Sequence, residues 1–212
     1  MNAPVFENSP ETYGAKAAAM LNADYSIVAW SGRGLVRNYV TPNGIDTSPN
    51  MPTLWTRYGA NDPDNSYTFP GAWNPDAVVI NLGTNDFSYL AYNSTSGTNY
   101  PARPPVNATV LTTAATAFIQ TIHKHYRKAN IFLVGSPLLS DSYPTAADAQ
   151  HTTNANIWRA ASKTVAAQGI SAQFVDWPTQ GSVYGCDNHP NALTNLAEAV
   201  VLADAISASL DW

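Results

Sequence analysis

The chain has 212 residues, a formal net charge of −5 and only 12% charged side chains. That length suits a single domain with a sizeable core, and the sparse, acidic charge excludes a nucleic-acid surface built from clustered Lys and Arg. No run of about 18 apolar residues is present to cross a bilayer, and MNAPVFENSPETYG lacks the basic start and apolar centre of a secretory leader.

Ser9, followed by Pro10 and Glu11, marks a helix start that the alanine-rich SPETYGAKAAAMLN continues. DYSIVAW predicts a short apolar strand over residues 25–30. Residues 41–75, rich in Pro, Asn, Asp and Gly, read as a surface excursion. PDAVVINLG predicts a buried strand, and residues 88–108 a second polar loop stiffened by PARPP. Leu111, Ala115, Phe118, Ile119 and Ile122 recur at helical spacing, and HKHYRK after them reads as a solvated helix end, where cations suit the dipole. NIFLVGSP predicts the next buried strand, residues 146–168 a helix, SAQFVDW a strand, and residues 192–210 a final helix. No repeat, low-complexity tract or linker divides the chain, so one domain over 1–212 is expected.

Strands alternating with helices predict an α/β fold, a mainly parallel sheet covered on both faces. Such sheets hold their sites at the carboxyl ends of the strands. Three motifs collect there: SGRG after residue 30, GTND after Asn81, and GCDNHPN beyond Trp177. Gly32 and Gly34 allow a tight turn that presents backbone N–H groups. Asn85 can aim an amide at developing negative charge, so backbone N–H plus Asn amide form a candidate oxyanion hole. Asp187 can hold His189 in the tautomer that accepts a proton, making His189 general base and acid. Cys186, the single cysteine, cannot form an internal disulfide and reads as a small packed side chain. His123, His125 and His151 form no convincing ligand set, and acyl transfer of this kind requires no metal or organic cofactor. Trp55, Trp73 and Trp177 suit either sugar stacking or the core.

The order SGRG, PDAVVINLGTND and DNHPN resembles the GDSL-type, or SGNH, hydrolases, and AWSGRG with its Asp-x-His spacing looks closest to carbohydrate esterase family two. The resemblance implies a three-layer α/β/α domain that removes acetyl groups from polysaccharides such as xylan and mannan. It makes Gly34 the backbone oxyanion donor, with Gly32 the less favoured choice, and Asn85 the side-chain donor. It makes His189 the base and Asp187 its orienting acid. The family nucleophile is a Ser in a Gly-Asp-Ser block just after the first strand, and this sequence contains no such block. The first family strand is therefore expected to be absent from the sheet, and the domain to be N-terminally truncated relative to the family, whose members usually carry a β-sandwich domain before the hydrolase. Ser31 is the best-placed substitute hydroxyl. The expected partner is an acetylated polysaccharide or a small acetyl ester, not nucleic acid or a membrane, and an unfilled sheet slot would encourage self-association. The family's substrates imply an extracellular location. A non-catalytic carbohydrate-binding descendant, or an inactive fragment of an esterase, is the alternative reading.

Overall fold

The computed structural model describes residues 8–42, 44–181, 185 and 188–212. Ser9 opens a short 3-10 turn, Ser9–Glu11, in place of the expected helix. Its carbonyl accepts both the backbone N–H and the hydroxyl of Thr12, at 3.1 and 2.7 Å, which closes that turn before the helix begins. Helix α1 (Tyr13–Met20) follows and buries Ala15, Ala17 and Ala18.

The two polar stretches hold more structure than their composition suggests. The first contains strands β1 (Val40–Thr41) and β2 (Gly44–Ile45), paired antiparallel, and one helical turn, α2 (Met51–Leu54), that buries Met51 and Leu54. Strand β3 (Ala77–Ile80) comes next. The second stretch is a hairpin of β4 (Leu90–Asn93) and β5 (Thr98–Pro101). Its turn closes on Asn93, whose side-chain oxygen accepts the N–H groups of Thr95 and Ser96 at 2.9 and 3.2 Å.

Helix α3 (Ala108–His125) carries the expected apolar stripe inward. Strand β6 (Asn130–Val134), helix α4 (Gln150–Ala166), strand β7 (Ala172–Val175) and helix α5 (Ala192–Leu210) complete the chain. Helix α4 starts later than expected. Asp148 accepts the N–H and hydroxyl of Thr145, at 3.0 and 2.7 Å, and holds that stretch as a local turn.

The central sheet runs β3-β6-β7, all parallel. Strand side chains alternate between faces. Ile131 and Leu133 of β6 join the core beneath α3 and α4, while Phe132 and Val134 join the one beneath α1 and α5. All four are fully buried. The result is the three-layer α/β/α arrangement. Helix α5 is long and apolar enough to cross a bilayer. In this fold Ala199, Leu202, Ala203 and Ile206 instead face α1 and the sheet core.

One expected strand is not in the sheet. Residues 25–30 form no regular element, no described strand pairs with them, and a strand exists only through its ladder. Residues 24–29 make no backbone–backbone hydrogen bond among the described residues. Ile27 and Val28 are 43% and 56% exposed, far outside the range of a central strand. Strand β3 is correspondingly an edge, and Ala77, Val78 and Val79 are only half-buried. A cleft of about 2750 Å³ is lined by residues of both β3 and the segment 25–30.

Candidate active site

The GTND motif builds the floor of the site through its acid. Asp86 is fully buried, and its carboxylate accepts three consecutive N–H groups, from Leu35 (2.8 Å), Val36 (2.7 Å) and Arg37 (2.9 Å). These belong to the turn that leaves SGRG, so one side chain fastens the two motifs together. Burial pushes the Asp86 carboxyl upward, and the three N–H donors and Arg37 oppose that push. Arg37 Nε also donates to the Asp86 carbonyl at 2.7 Å, and its guanidinium is pulled down to about 10 by burial first and by Arg103 second. Arg103 in turn donates to the carbonyls of Asn38 (2.6 Å) and Ser88 (2.8 Å). In sequence alone Asp86 reads as no more than a cap for the segment after it. An Asp following a strand-end Gly-Thr-Asn was the available signal, but its partners lie some fifty positions upstream. Replacing Asp86 by Ala is expected to destabilise the chain by about 3–5 kcal/mol in chemical denaturation, because one buried and two part-buried N–H donors lose their acceptor. Asp86→Asn, which keeps one acceptor oxygen, is expected to cost less.

Gly34 and Gly32 differ in what their backbone N–H groups meet. The Gly34 N–H donates to Asn38 Oδ1 at 3.2 Å, and Gly34 is buried away from the cleft. Its place is dictated by packing, since a Cβ there would lie 2.1 Å from the Arg37 carbonyl oxygen. Gly32 lines the cleft with its neighbours Ser31 and Arg33, and its N–H makes no hydrogen bond among the described residues. The backbone donor available to a ligand is therefore that of Gly32. The turn's register decides this, because Asn38 folds back and takes the Gly34 N–H.

Asn85 sits at the start of a 3-10 turn, Asn85–Phe87, directly after β3, and lines the cleft. Its Nδ2 donates to the Arg33 carbonyl at 3.0 Å, which orients the amide beside the SGRG turn. Behind it, Gly83 has φ +103, and a Cβ there would approach Asn154 Nδ2 to 2.6 Å, so helix α4 packs against bare backbone.

His189 lies in the loop before α5 and also lines the cleft. Its carbonyl accepts the Gly185 N–H at 2.7 Å, and Gln180 Nε2 donates to the Asn188 carbonyl at 2.8 Å. Asn191 then caps α5, accepting from the N–H groups of Leu193 and Thr194, both at 2.9 Å. The loop is thus pinned on both sides of the imidazole. Asp187 and Cys186 lie outside the described residues.

Ser31 is exposed on the cleft, and its hydroxyl makes no hydrogen bond among the described residues. The three tryptophans divide. Trp177 is buried, donates its indole N–H to the Gly135 carbonyl and meets Tyr13 edge-on at 4.6 Å. Trp55 packs with Phe69 and Phe118 against the core. Trp73 is 40% exposed and opens onto the cleft.

The cleft is also lined by a polar group that the sequence reading passed over. Glu198 of α5 is fully buried, and neither carboxylate oxygen has a hydrogen-bond partner among the described residues. Burial pushes its carboxyl up to about 8. Tyr13 nearby is pushed up to about 12, by burial first, with the Asn81 side chain opposing and the Glu198 charge adding to the shift.

No family model matches the chain. A carbohydrate esterase family 2 enzyme from Myceliophthora fergusii, solved with its carbohydrate-binding domain, is 55% identical and superposes with a TM-score of 0.87 over 97% of this chain and 58% of that one. A family two carbohydrate esterase from Clostridium thermocellum, solved in complex with cellohexaose, is 28% identical, with a TM-score of 0.78 over 99% of this chain and 57% of that one. The cellulase/esterase CelE of Acetivibrio thermocellus is 31% identical over 99% of this chain and 23% of its own length. The chain therefore spans little more than half of those two solved chains and under a quarter of that curated relative.

Proposed function

The chain belongs to carbohydrate esterase family 2, and on that premise we propose that it removes O-acetyl groups from polysaccharides such as xylan by acyl transfer. One observation carries the reading. Gly32, Asn85 and His189 come from three segments remote in sequence, and all three line one large cleft beside β3. In this mechanism a hydroxyl attacks the acetyl carbonyl while His189 accepts its proton. The Gly32 N–H and the Asn85 amide hold the tetrahedral oxyanion. His189 then protonates the departing sugar oxygen, and water releases the acetyl group. Gly32 replaces Gly34 as the backbone donor because the Gly34 N–H is engaged by Asn38.

The family resemblance assigns the attacking hydroxyl to a Gly-Asp-Ser block that these 212 residues do not contain. Ser31, open to the cleft beside Gly32, is the hydroxyl available here. Asp187 as the orienting acid, and an extracellular location implied by the family's polysaccharide substrates, complete the proposal. That Gly-Asp-Ser is not in the sequence favours the second reading, a carbohydrate-binding domain without turnover.

Acetate release from acetylated xylan separates the two. The esterase reading expects release, and expects Asn85→Ala to lower kcat/KM roughly 10²- to 10³-fold, the worth of one oxyanion donor. Binding of acetylated xylan with no acetate formed would establish the second reading instead.

A further inference from the structure

We infer that a second pocket, lined by Arg37 and Arg103, binds a carboxylate, and that this carboxylate is borne on a sugar, as in a uronic acid. The inference goes beyond the acyl-transfer reading and does not depend on it. The pocket holds about 420 Å³, within the few hundred to 1,000 Å³ of ordinary small-molecule sites. It shares no lining residue with the cleft beside β3. Arg103 Nη2 donates to the Asn85 carbonyl at 3.3 Å, so the pocket adjoins the turn that presents the Asn85 amide.

Its charges do not balance. Arg37 donates through Nε to the Asp86 carbonyl and through Nη1 to the Pro104 carbonyl, at 2.7 and 2.8 Å. Its Nη2 is buried without a partner among the described residues. The described bonds of Arg103 use Nε and Nη2, and none uses Nη1. Neither guanidinium makes an ion pair among the described residues, and the carbonyls they hold carry no matching charge. Burial pulls both guanidiniums down, and Arg103 pulls Arg37 down further, because adjacent cations oppose each other. The two acids nearby are taken. Asp46 accepts from Arg33 Nη1 at 2.7 Å and from the Ser48 N–H at 2.8 Å, while the Asp86 carboxylate serves its three backbone donors. Three arginines against two acids leave one positive charge, which matches a monoanion.

A guanidinium fork fits the two oxygens of a carboxylate. The rest of the lining suits a sugar ring. Val36 and Ile45 are 36% and 50% exposed and, with Pro49, offer an apolar surface to the ring's C–H face. Thr47, Asn50 and Thr53 add hydroxyl and amide groups for ring hydroxyls. Asp46, also in the lining, would repel a second negative charge, which disfavours a phosphate dianion.

The test titrates the isotopically labelled 212-residue chain with sodium glucuronate, sodium acetate and glucose. Calorimetry and the NMR shifts of backbone and arginine Nε–H groups are the readouts. The expected result is saturable 1:1 binding of glucuronate, with shifts at residues 36–38 and at the Nε–H of Arg37 and Arg103. Glucose, which lacks the carboxylate, should bind roughly tenfold or more weakly, the worth of one charge-assisted hydrogen bond. Acetate, which lacks the ring, should also bind roughly tenfold or more weakly. Thr47 is exposed, and Thr47→Glu places a competing carboxylate in the pocket, so it should weaken glucuronate about tenfold or more, as should Arg103→Gln. Thr47→Gln, neutral and of the same size, should bind nearly as the parent does. The Thr47 pair keeps both arginines and their carbonyl contacts, so it decides the matter even if Arg103→Gln fails to fold. Glucose binding as tightly as glucuronate, Thr47→Glu behaving like Thr47→Gln, or shifts confined to residues 85 and 189 would overturn the proposal. Acetate matching glucuronate would overturn the sugar assignment and make the pocket a site for a free small carboxylate. Acetate release is no part of these readouts, so failure here leaves the acyl-transfer reading standing, and a chain without turnover can still bind.

Discussion

Replacing Glu198 by Gln is expected to leave stability nearly unchanged at pH 4 and to raise it at pH 7 and above. The carboxyl is pushed up from its ordinary 4.5 to about 8 by burial alone. Below the ordinary value both folded and unfolded chains hold the proton, and ionisation contributes nothing. As pH rises from there toward about 8, the unfolded chain releases the proton while the folded chain keeps it, so the unfolded state is favoured and stability falls. The slope is about 1.4 kcal/mol per pH unit. Applied in full, it would reach roughly 3 kcal/mol at pH 7, but solvent in the adjoining cleft screens part of it, so about 1–2 kcal/mol is expected. Gln reproduces the shape and polarity of the neutral acid without its ionisation, so the difference between the two chains isolates this one group. Urea denaturation of both proteins between pH 4 and pH 9 measures it. Parallel curves across that range would show that Glu198 has a partner or is solvated.

Loss of the imidazole should have the largest effect on chemistry. His189→Ala is expected to reduce hydrolysis of 4-nitrophenyl acetate and acetylated xylan roughly 10⁴-fold, the upper range for a positioned general base. The melting temperature should barely move. The His189 loop is held by the Gly185 N–H on the His189 carbonyl, by Gln180 on the Asn188 carbonyl and by the Asn191 cap, none of which involves the imidazole. A variant that retains its rate would remove His189 from the mechanism. A variant that loses rate and fold together would mark the residue as structural.

Much of the scaffold was legible in the residues. The stripe Leu111, Ala115, Phe118, Ile119 and Ile122 is the buried face of α3, and Ala192–Leu210 is a helix over the expected range. The runs AVVI, NIFLV and AQFV are the three parallel strands. The misses share a cause. DYSIVAW has the composition of a strand, but a strand needs a neighbour's ladder, and no described strand lies beside it. The polar stretch 88–108 hides a hairpin because Asn93 and its turn organise residues whose side chains face solvent. Asp86 and Glu198 look alike as isolated acids in sequence, yet one accepts three N–H groups and the other none.

The sequence by itself determined the layers and the order of the motifs, since periodicity and turn chemistry act over a few neighbouring residues. Only the tertiary structure decided that Gly32 and not Gly34 offers its N–H, that Asp86 fastens two distant motifs, and that a wide cleft runs beside β3 with a buried acid in its wall. The Asp86 contacts join groups some fifty residues apart, and the Gly34 N–H meets Asn38 only four residues on, but both depend on how the turn after SGRG is packed.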